Sequence, residues 1–555
     1  MNQKGNNKYR AYSPVDLKGR IWPNNTITAA PQYCAVDLRD GNQALINPLD
    51  LNQRLEFWHL LLSVGFKEIE TGFPSASQID FKFLRHLIEK GLIPKGVVPQ
   101  VLVQSRKELI VKTVESLRGA KEAIIHLYTP TSELQRRVVF KSSQSEIKKI
   151  AIQGVEWIKE EIKKIDGTKI RLQFSPESFT GTELNFSKEI CEAVYEAWNP
   201  MSKSDLILNL PATVEMSTPN IYADQIEWFK GNFKHDNWTL SIHPHNDRGT
   251  ATAAAELALM AGAERVEGTL FGNGERTGNL DLVTLCMNMF AQGVNTGLDF
   301  SELPRLVQVY EKLTELQVSK RHPYAGELVF TAFSGSHQDA INKGLQALEK
   351  SPSELWEVPY LPIDPNDVGQ NYKALIRINS QSGKGGVAFV LEQNFGFILP
   401  KAMQHEVRLA VQKISDKKAL EISATELHDL FLAQFVNLES TYSLVKAKWE
   451  VSEAKGEETH SELEAEIIFE AKSVTIKSSG TGVLEALCKG VNSAFDKPQV
   501  EILDYSEHAM SEGADAKAIA YVCLRQGKNK AWGAGIDENL TLSTLKAFIS
   551  ALNLI

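Results

Sequence analysis

Two histidines, His243 and His245, lie two positions apart at the end of the apolar run 238–242. Side chains at positions i and i+2 of a strand point to the same face, so both imidazoles can reach one object. Neutral imidazole is the commonest protein ligand for transition metals, which makes a metal site the first hypothesis. Two histidines supply only half of such a site. The alternative is a pair of polar residues at a strand end, and carboxylate or amide partners elsewhere in the chain decide between the two.

The elements that must position these histidines follow a regular alternation. From residue 33 onward, short apolar runs alternate with amphipathic stretches of helical period, among them 51–64, 78–90, 145–164 and 250–261. Eight such units over roughly 260 residues have the length and period of an α/β fold of the (β/α)8 TIM barrel type, whose active site lies at the carboxyl ends of the strands. A doubly wound open sheet is the alternative, but it has no reason to stop at eight units. The predicted strands are the runs 33–38, 66–70, 97–103, 123–127, 170–174, 205–210, 238–242 and 266–270.

Barrel closure supplies the missing partners. It places strand 1 beside strand 8, which already neighbours strand 7. Strand 1 runs into a segment with Asp40, and strand 8 runs into a Gly-rich segment that ends in Asn279. Asp40, His243 and His245 would form a two-histidine, one-carboxylate set that suits a divalent cation in octahedral geometry, with open positions for substrate and water. Asn279 is a candidate fourth ligand.

Polar side chains also stand at the ends of the other predicted strands, which a purely structural barrel does not need. Taken singly, each is better explained as a satisfied loop residue. Together they predict a pocket at one end of the barrel. They are Gln104, Ser105 and Arg106 after strand 3, His126 and Tyr128 in strand 4, Ser175 to Ser178 after strand 5, and Asn209 and Thr213 at strand 6.

The composition is that of a globular protein, with 43% hydrophobic residues, and 555 residues predict about two to four domains. A net charge of −9 without a long basic run argues against nucleic acid as the main partner. Five scattered cysteines without a Cys-x-x-Cys pair are typical of a reducing compartment. Because the chain has neither a signal-peptide core nor an apolar run of membrane-spanning length, we predict a soluble cytoplasmic protein without a membrane partner.

The rest of the chain predicts three further segments. Residues 1–30 form an N-terminal arm ahead of a barrel over 31–295, and residues 296–435 read as helices joined by loops. Residues 436–555 repeat an order of three strands and a helix, which predicts a duplicated βββα domain. Each helix is expected to follow a Gly-x-Gly turn, at 480–482 and 533–535, and the seam between the halves suits a small effector whose carboxylate meets a helix N-terminus. The alternative is a domain used only for packing or dimerisation.

Three segments now identify a family. They read DLRDGNQ at 37–43, HPHND at 243–247 and GNGERTGN at 272–279. The chain resembles the 2-isopropylmalate synthase family from about residue 21 to its C-terminus. The barrel motifs alone specify only the broader superfamily of Claisen-type synthases, aldol lyases and carboxyltransferases. The segments SPES at 175–178, NLPAT at 209–213, SGSH at 334–337 and PYLP at 359–362, with the extra domains, narrow the resemblance to this family.

The resemblance implies condensation of acetyl-CoA with 2-oxoisovalerate and water, giving 2-isopropylmalate and CoA. A divalent metal on the four ligand candidates would chelate the 2-oxo acid and polarise its ketone. Mg²⁺ is the first choice, Mn²⁺ and Zn²⁺ are alternatives, and K⁺ is a candidate activator. Arg39, next to a ligand, would stabilise the enolate that forms when the acetyl methyl loses a proton.

Other roles follow from the same resemblance. His337 is implied as the base, with Glu275 or Glu177 taking part through water and Tyr360 assisting. In the family His337 and Tyr360 reach the barrel of the partner subunit, so the site is complete only in a homodimer. Substrate-binding roles are implied for Thr213, which would hold the carboxylate, for Gln43, and for Leu102, His126, Tyr128, Ser175 and Asn209 around the isopropyl group.

The C-terminal domain resembles the family's leucine-binding regulatory domain. Leucine, the expected inhibitor, would bind near Gly480, Gly482, Tyr505 and Ala509. One departure bears on the strength of feedback inhibition, because positions 481 and 483 carry Thr and Val where Asn and Pro are expected.

Three alternatives remain at this point. Homocitrate or citramalate synthase would use the same chemistry on another 2-oxo acid, and pocket shape separates such substrates by only a few kcal/mol. A metal-dependent aldol lyase of the same superfamily would not need the helical linker or the doubled domain. A non-catalytic amino-acid sensor would require a degenerate barrel site, whereas every expected ligand is present.

Overall fold

The computed structural model describes residues 11–372, 384–418, 424–452, 460–495, 499–510 and 516–555. The chain divides into two compact units. One consists of Met1–Val329 and Ile363–Asn371, and the other of Phe330–Pro362 and Tyr372–Ile555.

The first unit is a closed barrel of eight parallel strands in chain order, in which β1 pairs with β8. The predicted TIM barrel and its closure are thereby confirmed. Its strands are β1 Gln32–Ala35, β2 Glu68–Gly72, β3 Val98–Gln104, β4 Glu122–Pro130, β5 Lys169–Glu177, β6 Leu206–Ala212, β7 Thr239–Pro244 and β8 Arg265–Gly268.

Helices follow the strands and form the outer layer of the barrel. No helix in the described part of the chain is both long and apolar enough to cross a bilayer. The helices of this unit are α1 Leu51–Val64, α2 Gln78–Glu89, α3 Lys107–Ser116, α4 Glu133–Gln135, α5 Gln144–Ile162, α6 Leu184–Trp198, α7 Pro219–Asn232, α8 Ala251–Met260, α9 Leu282–Phe290 and α10 Leu303–Thr314.

Local sequence signals explain where these helices begin and end, as α1 illustrates. The side chain of Asp50 accepts a hydrogen bond from the backbone N–H of Gln53, and the side-chain oxygen of Gln53 accepts one from the backbone N–H of Asp50. This capping box satisfies two backbone donors that the first helical turn leaves free. Gly65 ends the helix at a φ of 107°, which a glycine adopts without a steric penalty.

The described part of the N-terminal arm packs against α7. The Arg20 guanidinium makes two 2.6 Å hydrogen bonds to Asp224, and Trp22 Nε1 donates to the same carboxylate at 2.8 Å. Tyr12 hydrogen-bonds to the Thr180 carbonyl. Residues 1–10 of the predicted arm lie outside the described residues, but the part from 11 onward is fixed to the barrel wall.

The interior of the barrel is polar at the level beneath the strand ends. Glu68 accepts hydrogen bonds from Arg265 and Arg171, both at 2.6 Å, and all three residues are buried. Buried ions of this kind are tolerated only when paired and hydrogen-bonded. The paired side chains therefore form a hydrogen-bonded layer beneath the carboxyl ends of the strands.

The second unit contains helices followed by a duplicated βββα domain with two three-stranded sheets, β11-β10-β9 and β12-β13-β14. One hydrophobic core joins the two halves, with Ala465, Leu487, Val522 and Phe548 among its members. The elements are α11 Gly335–Lys350, α12 Lys384–Phe395, α13 Met403–Lys418, α14 Ala424–Phe435, β9 Tyr442–Ser452, β10 His460–Phe469, β11 Lys472–Gly480, α15 Val483–Ala494, β12 Val500–Ala509, β13 Ala518–Gln526, β14 Asn529–Asp537 and α16 Leu540–Leu554.

A second core of this unit crosses position 435. It packs Val390, Val407 and Phe431 from α12, α13 and α14 against Tyr521 and Trp532 from β13 and β14. The three linker helices and the second sheet therefore share one hydrophobic interior.

One predicted turn is wrong. Gly533 and Gly535 lie inside β14 and do not precede the following helix. A Cβ atom at Gly533 would collide with the backbone of Ala547 and Ala551, and one at Gly535 with the backbone of Ser543. These glycines allow α16 to approach the sheet closely, which a local turn pattern cannot distinguish from a phosphate- or carboxylate-binding loop.

Candidate active site

Asp40, His243 and His245 meet at the carboxyl ends of β1 and β7. His243 Nε2 lies 3.3 Å and His245 Nε2 lies 3.6 Å from Asp40 Oδ2. Within the part of the chain that the structure describes, this is the one group of His, Cys, Asp and Glu side chains with metal-binding geometry, and all three residues are buried. Asp40 Oδ2 has no hydrogen-bond partner among the described residues. A buried, unpaired carboxylate oxygen facing two ring nitrogens fits a divalent cation.

A short π-helical turn at Asp37–Gly41 presents Asp40 to the histidines. Asp37 Oδ1 accepts a 2.9 Å hydrogen bond from the backbone N–H of Leu270, which ties the end of β1 to the segment after β8. Burial raises the pKa of Asp37 to about 8. The neighbouring carboxylates thus differ, because only Asp40 is surrounded by cationic and imidazole groups.

The charges around Asp40 favour its ionised form. Burial would raise the pKa of Asp40, but the Arg39 guanidinium and His243 together hold it well below its usual range. For His243, burial lowers the pKa, but the neighbouring carboxylates of Asp40 and Glu267 outweigh it and raise the value to about 9. Burial and the charge of His243 lower the pKa of His245 to about 4. His245 is therefore neutral, and a cation bound here competes with a proton on His243.

Asn279 joins the group at the end of a loop that requires glycine at positions 274 and 278. Its Oδ1 lies 2.9 Å from His243 Nε2, and it pairs with His245 in an isolated β-bridge. Gly278 has a φ of 100°, and a Cβ atom there would collide with the carbonyl of Gly272. A Cβ atom at Gly274 would collide with the Asn279 amide. The glycine spacing of this loop thus serves to place the fourth candidate ligand.

Arg39 is held from two sides. Its Nε forms an ion pair with Glu70, and its Nη1 donates to Asp40 Oδ1 at 2.7 Å. Burial lowers the pKa of Arg39, but Asp40 and Glu70 outweigh it and keep the guanidinium charged. Nη2 has no hydrogen-bond partner among the described residues. A fixed cation with free N–H groups thus stands next to the candidate metal ligands.

A cavity of about 280 Å³ opens above these groups. Thirteen residues singled out in the sequence line it, whereas Phe73, Pro211 and Arg276 also line it and were not predicted. Asn279 is buried beside it. The predicted lining residues are Arg39, Asp40, Gln43, Leu102, His126, Tyr128, Ser175, Glu177, Asn209, Thr213, His243, His245 and Glu275.

Hydrogen bonds connect the floor of this cavity. His126 lies with Nδ1 at 2.9 Å from Glu70 Oε1 and Nε2 at 2.7 Å from Ser175 Oγ. Asn209 Nδ2 donates to Ser175 Oγ at 3.0 Å and to Glu267 Oε2 at 3.3 Å. Because Glu70 also holds Arg39 and Glu267 also holds His243, the lining residues form one continuous network with the candidate ligands.

Two further lining groups have useful chemistry. Burial raises the pKa of the Glu177 carboxyl, although Arg39 acts in the opposite direction, so this group takes up a proton more readily than an ordinary glutamate. Thr213 Oγ1 accepts a 2.9 Å hydrogen bond from the Ser178 backbone, which leaves its O–H free to donate. Gln43 Nε2 donates to Asp40 at 2.9 Å and to Glu275 at 3.3 Å, which links the two carboxylates.

Sequence reasoning missed the buried partners Glu70, Gln100, Arg265 and Glu267 because they lie within strands and not at strand ends. A signal was present: strands that are otherwise apolar carry ionisable residues two positions apart, at 68 and 70 and at 265 and 267. Such pairs point into a barrel together.

Comparison with known proteins agrees with the geometry. A family model described as HMGL-like matches residues 30–309, one described as alpha-isopropylmalate synthase, post-catalytic domain-like, matches 327–392, and one described as LeuA allosteric (dimerisation) domain matches 421–555. Curated 2-isopropylmalate synthases of Pseudomonas syringae pv. syringae and Rhodospirillum rubrum are each 51% identical to this chain over 98% of its length, covering 96% and 98% of their own. The chain belongs to the 2-isopropylmalate synthase family.

Family membership directs attention to the candidate residues of the second unit. His337 lies in the first turn of α11 and stacks on Tyr360, with ring centroids 4.1 Å apart. Tyr360 is 61% exposed and has a φ of 65°, an unusual backbone conformation for a tyrosine. Such local strain is often found at functional sites. The structure thus brings the two residues together as an exposed pair.

The four candidate effector residues also lie in this unit, within the region matched by the LeuA model. Gly480 ends β11, and Gly482 is the N-cap of α15. Tyr505 and Ala509 belong to β12, and the Tyr505 hydroxyl lies 3.1 Å from Thr544 Oγ1. At the departure from the expected turn, the backbone N–H and Oγ1 of Thr481 both donate to the Glu485 carboxylate at 2.7 Å.

Proposed function

We propose that the barrel cavity is the site where this 2-isopropylmalate synthase condenses acetyl-CoA with 2-oxoisovalerate. Water enters the reaction, and 2-isopropylmalate and CoA leave. The observation that carries the assignment is the convergence of Asp40, His243 and His245 beside Arg39 at the cavity floor. These are the groups that a 2-oxo acid and a thioester enolate require.

Asp40, His243 and His245 would hold a divalent cation, with Asn279 as a fourth ligand. Hard oxygen donors with two imidazoles are compatible with Mg²⁺, our first choice, and also with Mn²⁺ and Zn²⁺. When bound, the cation supplies Lewis-acid polarisation of the ketone. Asp40 supplies the negative charge, and the neighbouring Arg39 and His243 side chains keep that carboxylate ionised at neutral pH by lowering its pKa.

Arg39 would stabilise the enolate oxygen of acetyl-CoA. Its guanidinium is fixed by Glu70 and Asp40 before substrate arrives, so no reorganisation is needed when negative charge develops. Its Nη2 group supplies donors toward a reacting oxygen. Glu70 and Asp40 thus position the Arg39 guanidinium but occupy only some of its N–H donors.

Proton removal from the acetyl methyl is assigned to His337 of a second copy of the chain, assisted by Tyr360. The exposure of Tyr360 and its stacking on His337 support a role at a surface that meets another subunit. Glu177, whose pKa is raised by burial, and Glu275 would take part through water on the barrel side. Active sites would then be shared across a homodimer.

The remaining lining residues would select the 2-oxo acid. The Thr213 hydroxyl would donate to the substrate carboxylate, and Gln43 would contact substrate from the Asp40 side. The isopropyl group would meet Leu102, with the polar side chains of His126, Tyr128, Ser175 and Asn209 closing the pocket behind it. His126 and Asn209 are both hydrogen-bonded to Ser175, and Tyr128 is hydrogen-bonded to Gln104, so the polar side chains are held in place around the pocket.

Release of CoA thiol with a panel of 2-oxo acids tests the reaction. We expect release to be greatest with 2-oxoisovalerate, to stop with chelator and to return with Mg²⁺, and a K⁺ titration measures monovalent activation. Greater release with pyruvate or 2-oxoglutarate would retain the mechanism and replace the substrate. Release that persists in chelator would refute the metal assignment.

We further propose that leucine binds the C-terminal domain near Gly480, Gly482, Tyr505 and Ala509 and inhibits the enzyme. The position of these residues within the LeuA region supports this assignment. Five buried, free cysteines are compatible with a cytoplasmic location for the enzyme.

Replacing Tyr505 by alanine should raise the leucine concentration needed for half-inhibition by roughly tenfold, the effect of losing about 1.4 kcal/mol of contacts. Uninhibited turnover should stay unchanged, since the side-chain hydrogen bonds of Tyr505 go to Glu507 and Thr544 and not to a proposed catalytic residue. Val451→Ala, at an exposed position of β9, is the matched control. Inhibition curves that coincide for wild type and Tyr505→Ala would exclude Tyr505 from the effector site.

A further inference from the structure

Glu267 is a fully buried carboxylate that contacts a candidate metal ligand without being one. It lies in β8, and its Oε2 is 2.8 Å from His243 Nδ1. The other ring nitrogen, Nε2, faces Asp40 Oδ2 at 3.3 Å and Asn279 Oδ1 at 2.9 Å. A histidine that ligates through Nε2 must carry its remaining proton on Nδ1.

We propose that Glu267 is a positioning residue for metal binding, which keeps the His243 proton on Nδ1 so that Nε2 presents its lone pair to the cation. The inference rests on the proposed metal site. An ionised carboxylate can only accept hydrogen bonds, so the Nδ1 atom facing it must be the donor. Carboxylate partners of metal-binding histidines act in this way, by fixing both the tautomer and the ring orientation.

The orientation of Glu267 is itself fixed by three donors. Gln173 Nε2, Arg265 Nη1 and Gln100 Nε2 all donate to its Oε1, at 2.8, 2.9 and 3.0 Å. Gln100 cannot turn its amide without losing the bond that its Oε1 accepts from Arg265 Nη2 at 2.9 Å. Oε1 is therefore occupied, and Oε2 is left to face His243.

The same donors predict what an amide would do in this position. In Glu267→Gln, the single amide oxygen would turn toward Arg265 and Gln100, because an NH₂ group there would oppose both of these fixed donors, whereas the Gln173 amide can turn since its Oε1 has no partner among the described residues. The amide NH₂ would then face His243 Nδ1 and force it to accept a hydrogen bond. Asn209 can adapt to this change, since its Oδ1 has no partner among the described residues.

Inverting the His243 tautomer would place its proton on Nε2. That N–H would point at Asp40 Oδ2 and Asn279 Oδ1, the oxygens that also face the cation site. The variant would thus retain volume and hydrogen bonding but oppose metal binding.

Glu68 provides a matched control. It is also a buried carboxylate of the barrel interior and also pairs with Arg265, but its other partner is Arg171 and not a candidate ligand. Glu68→Gln removes the same charge from the same layer. It changes nothing that contacts His243 directly.

The test is the affinity of the full-length protein for Mn²⁺, measured without substrate from the electron paramagnetic resonance signal of the free ion. We expect Glu267→Gln to bind Mn²⁺ about 10–100-fold more weakly than wild type, and Glu68→Gln to bind like wild type. Glu267→Asp, which keeps the charge but withdraws the carboxylate from Nδ1, should also bind weakly and replaces Glu267→Gln if that variant does not fold.

The possible results test the metal site and the role of Glu267 separately. Equal Mn²⁺ affinity for wild type and His243→Ala would overturn the metal site itself. Loss of affinity in His243→Ala with wild-type affinity in the Glu267 variants would overturn the role of Glu267 alone. Equal weakening in Glu68→Gln and Glu267→Gln would also overturn it, because the cause would then be loss of charge in the layer and not the tautomer of His243.

Discussion

The His243→Ala variant is expected to lose detectable condensation, because it removes the imidazole that faces both Asp40 Oδ2 and Asn279 Oδ1. Removing one partner of a buried charged group also leaves the other uncompensated. Metal content after gel filtration and CoA release should fall together. His59→Ala, at an exposed position of α1, is the control for loss of a histidine.

Mixed dimers extend this experiment to the partner subunit. His243→Ala and His337→Ala chains should each be inactive alone, since one lacks the metal site and the other the base. If sites are shared, co-folding the two variants should restore part of the activity, because one site of each mixed dimer would contain an intact pair of contributions. Absence of any recovery, with mixed dimers shown to form, would place His337 and the barrel site of one chain together. Near-normal turnover of His243→Ala alone would remove the metal assignment.

Arg39→Lys should lower kcat by about 10²- to 10³-fold, the cost of losing one well-placed donor to a developing oxyanion. A lysine retains the charge but has one nitrogen, so it cannot contact Glu70, Asp40 and the substrate oxygen as a planar guanidinium can. The KM for 2-oxoisovalerate should change little, since that substrate would contact the metal and Thr213.

Exchange of the acetyl methyl protons with deuterated water gives an independent measure for Arg39. We expect exchange to slow together with turnover in Arg39→Lys, because both require the enolate. The exposed Arg248, in the neighbouring loop, provides the matched Arg→Lys control. Wild-type exchange and turnover in Arg39→Lys would exclude Arg39 as the stabilising group.

Periodicity was sufficient to predict the barrel, because strands buried against helices alternate with them in a repeat that a single sequence displays. Closure of the barrel then predicts Asp40 beside His243 and His245, since closure follows from counting eight strands. The interior partners could not be found in that way. Whether Glu70 and Glu267 point inward depends on the register of each strand, and their pairing with Arg39 and His243 depends on barrel geometry.

The glycines show the same difference between features that a local motif predicts and features that depend on tertiary contacts. The loop containing Gly274 and Gly278 was recognisable because its motif ends in a ligand. Gly533 and Gly535 were misassigned to a turn because close approach of a helix to a strand is a tertiary contact. A local sequence pattern indicates that a small residue is needed, but it does not indicate which neighbouring atoms require it.

The core shared by α12, α13, α14 and the sheet of β13 and β14 has a mechanical consequence. Val390, Val407, Phe431, Tyr521 and Trp532 are buried in one hydrophobic cluster, and close-packed protein interiors of this kind transmit displacement because they have low compressibility. A cut at residue 435 would expose this interface and leave three helices without their packing partner. A displacement of the sheet would instead carry the three helices with it as one body, and α12 contacts α11, on which His337 resides. Helices α12, α13 and α14 would therefore move together with the sheet, and the movement would reach α11 through its contact with α12.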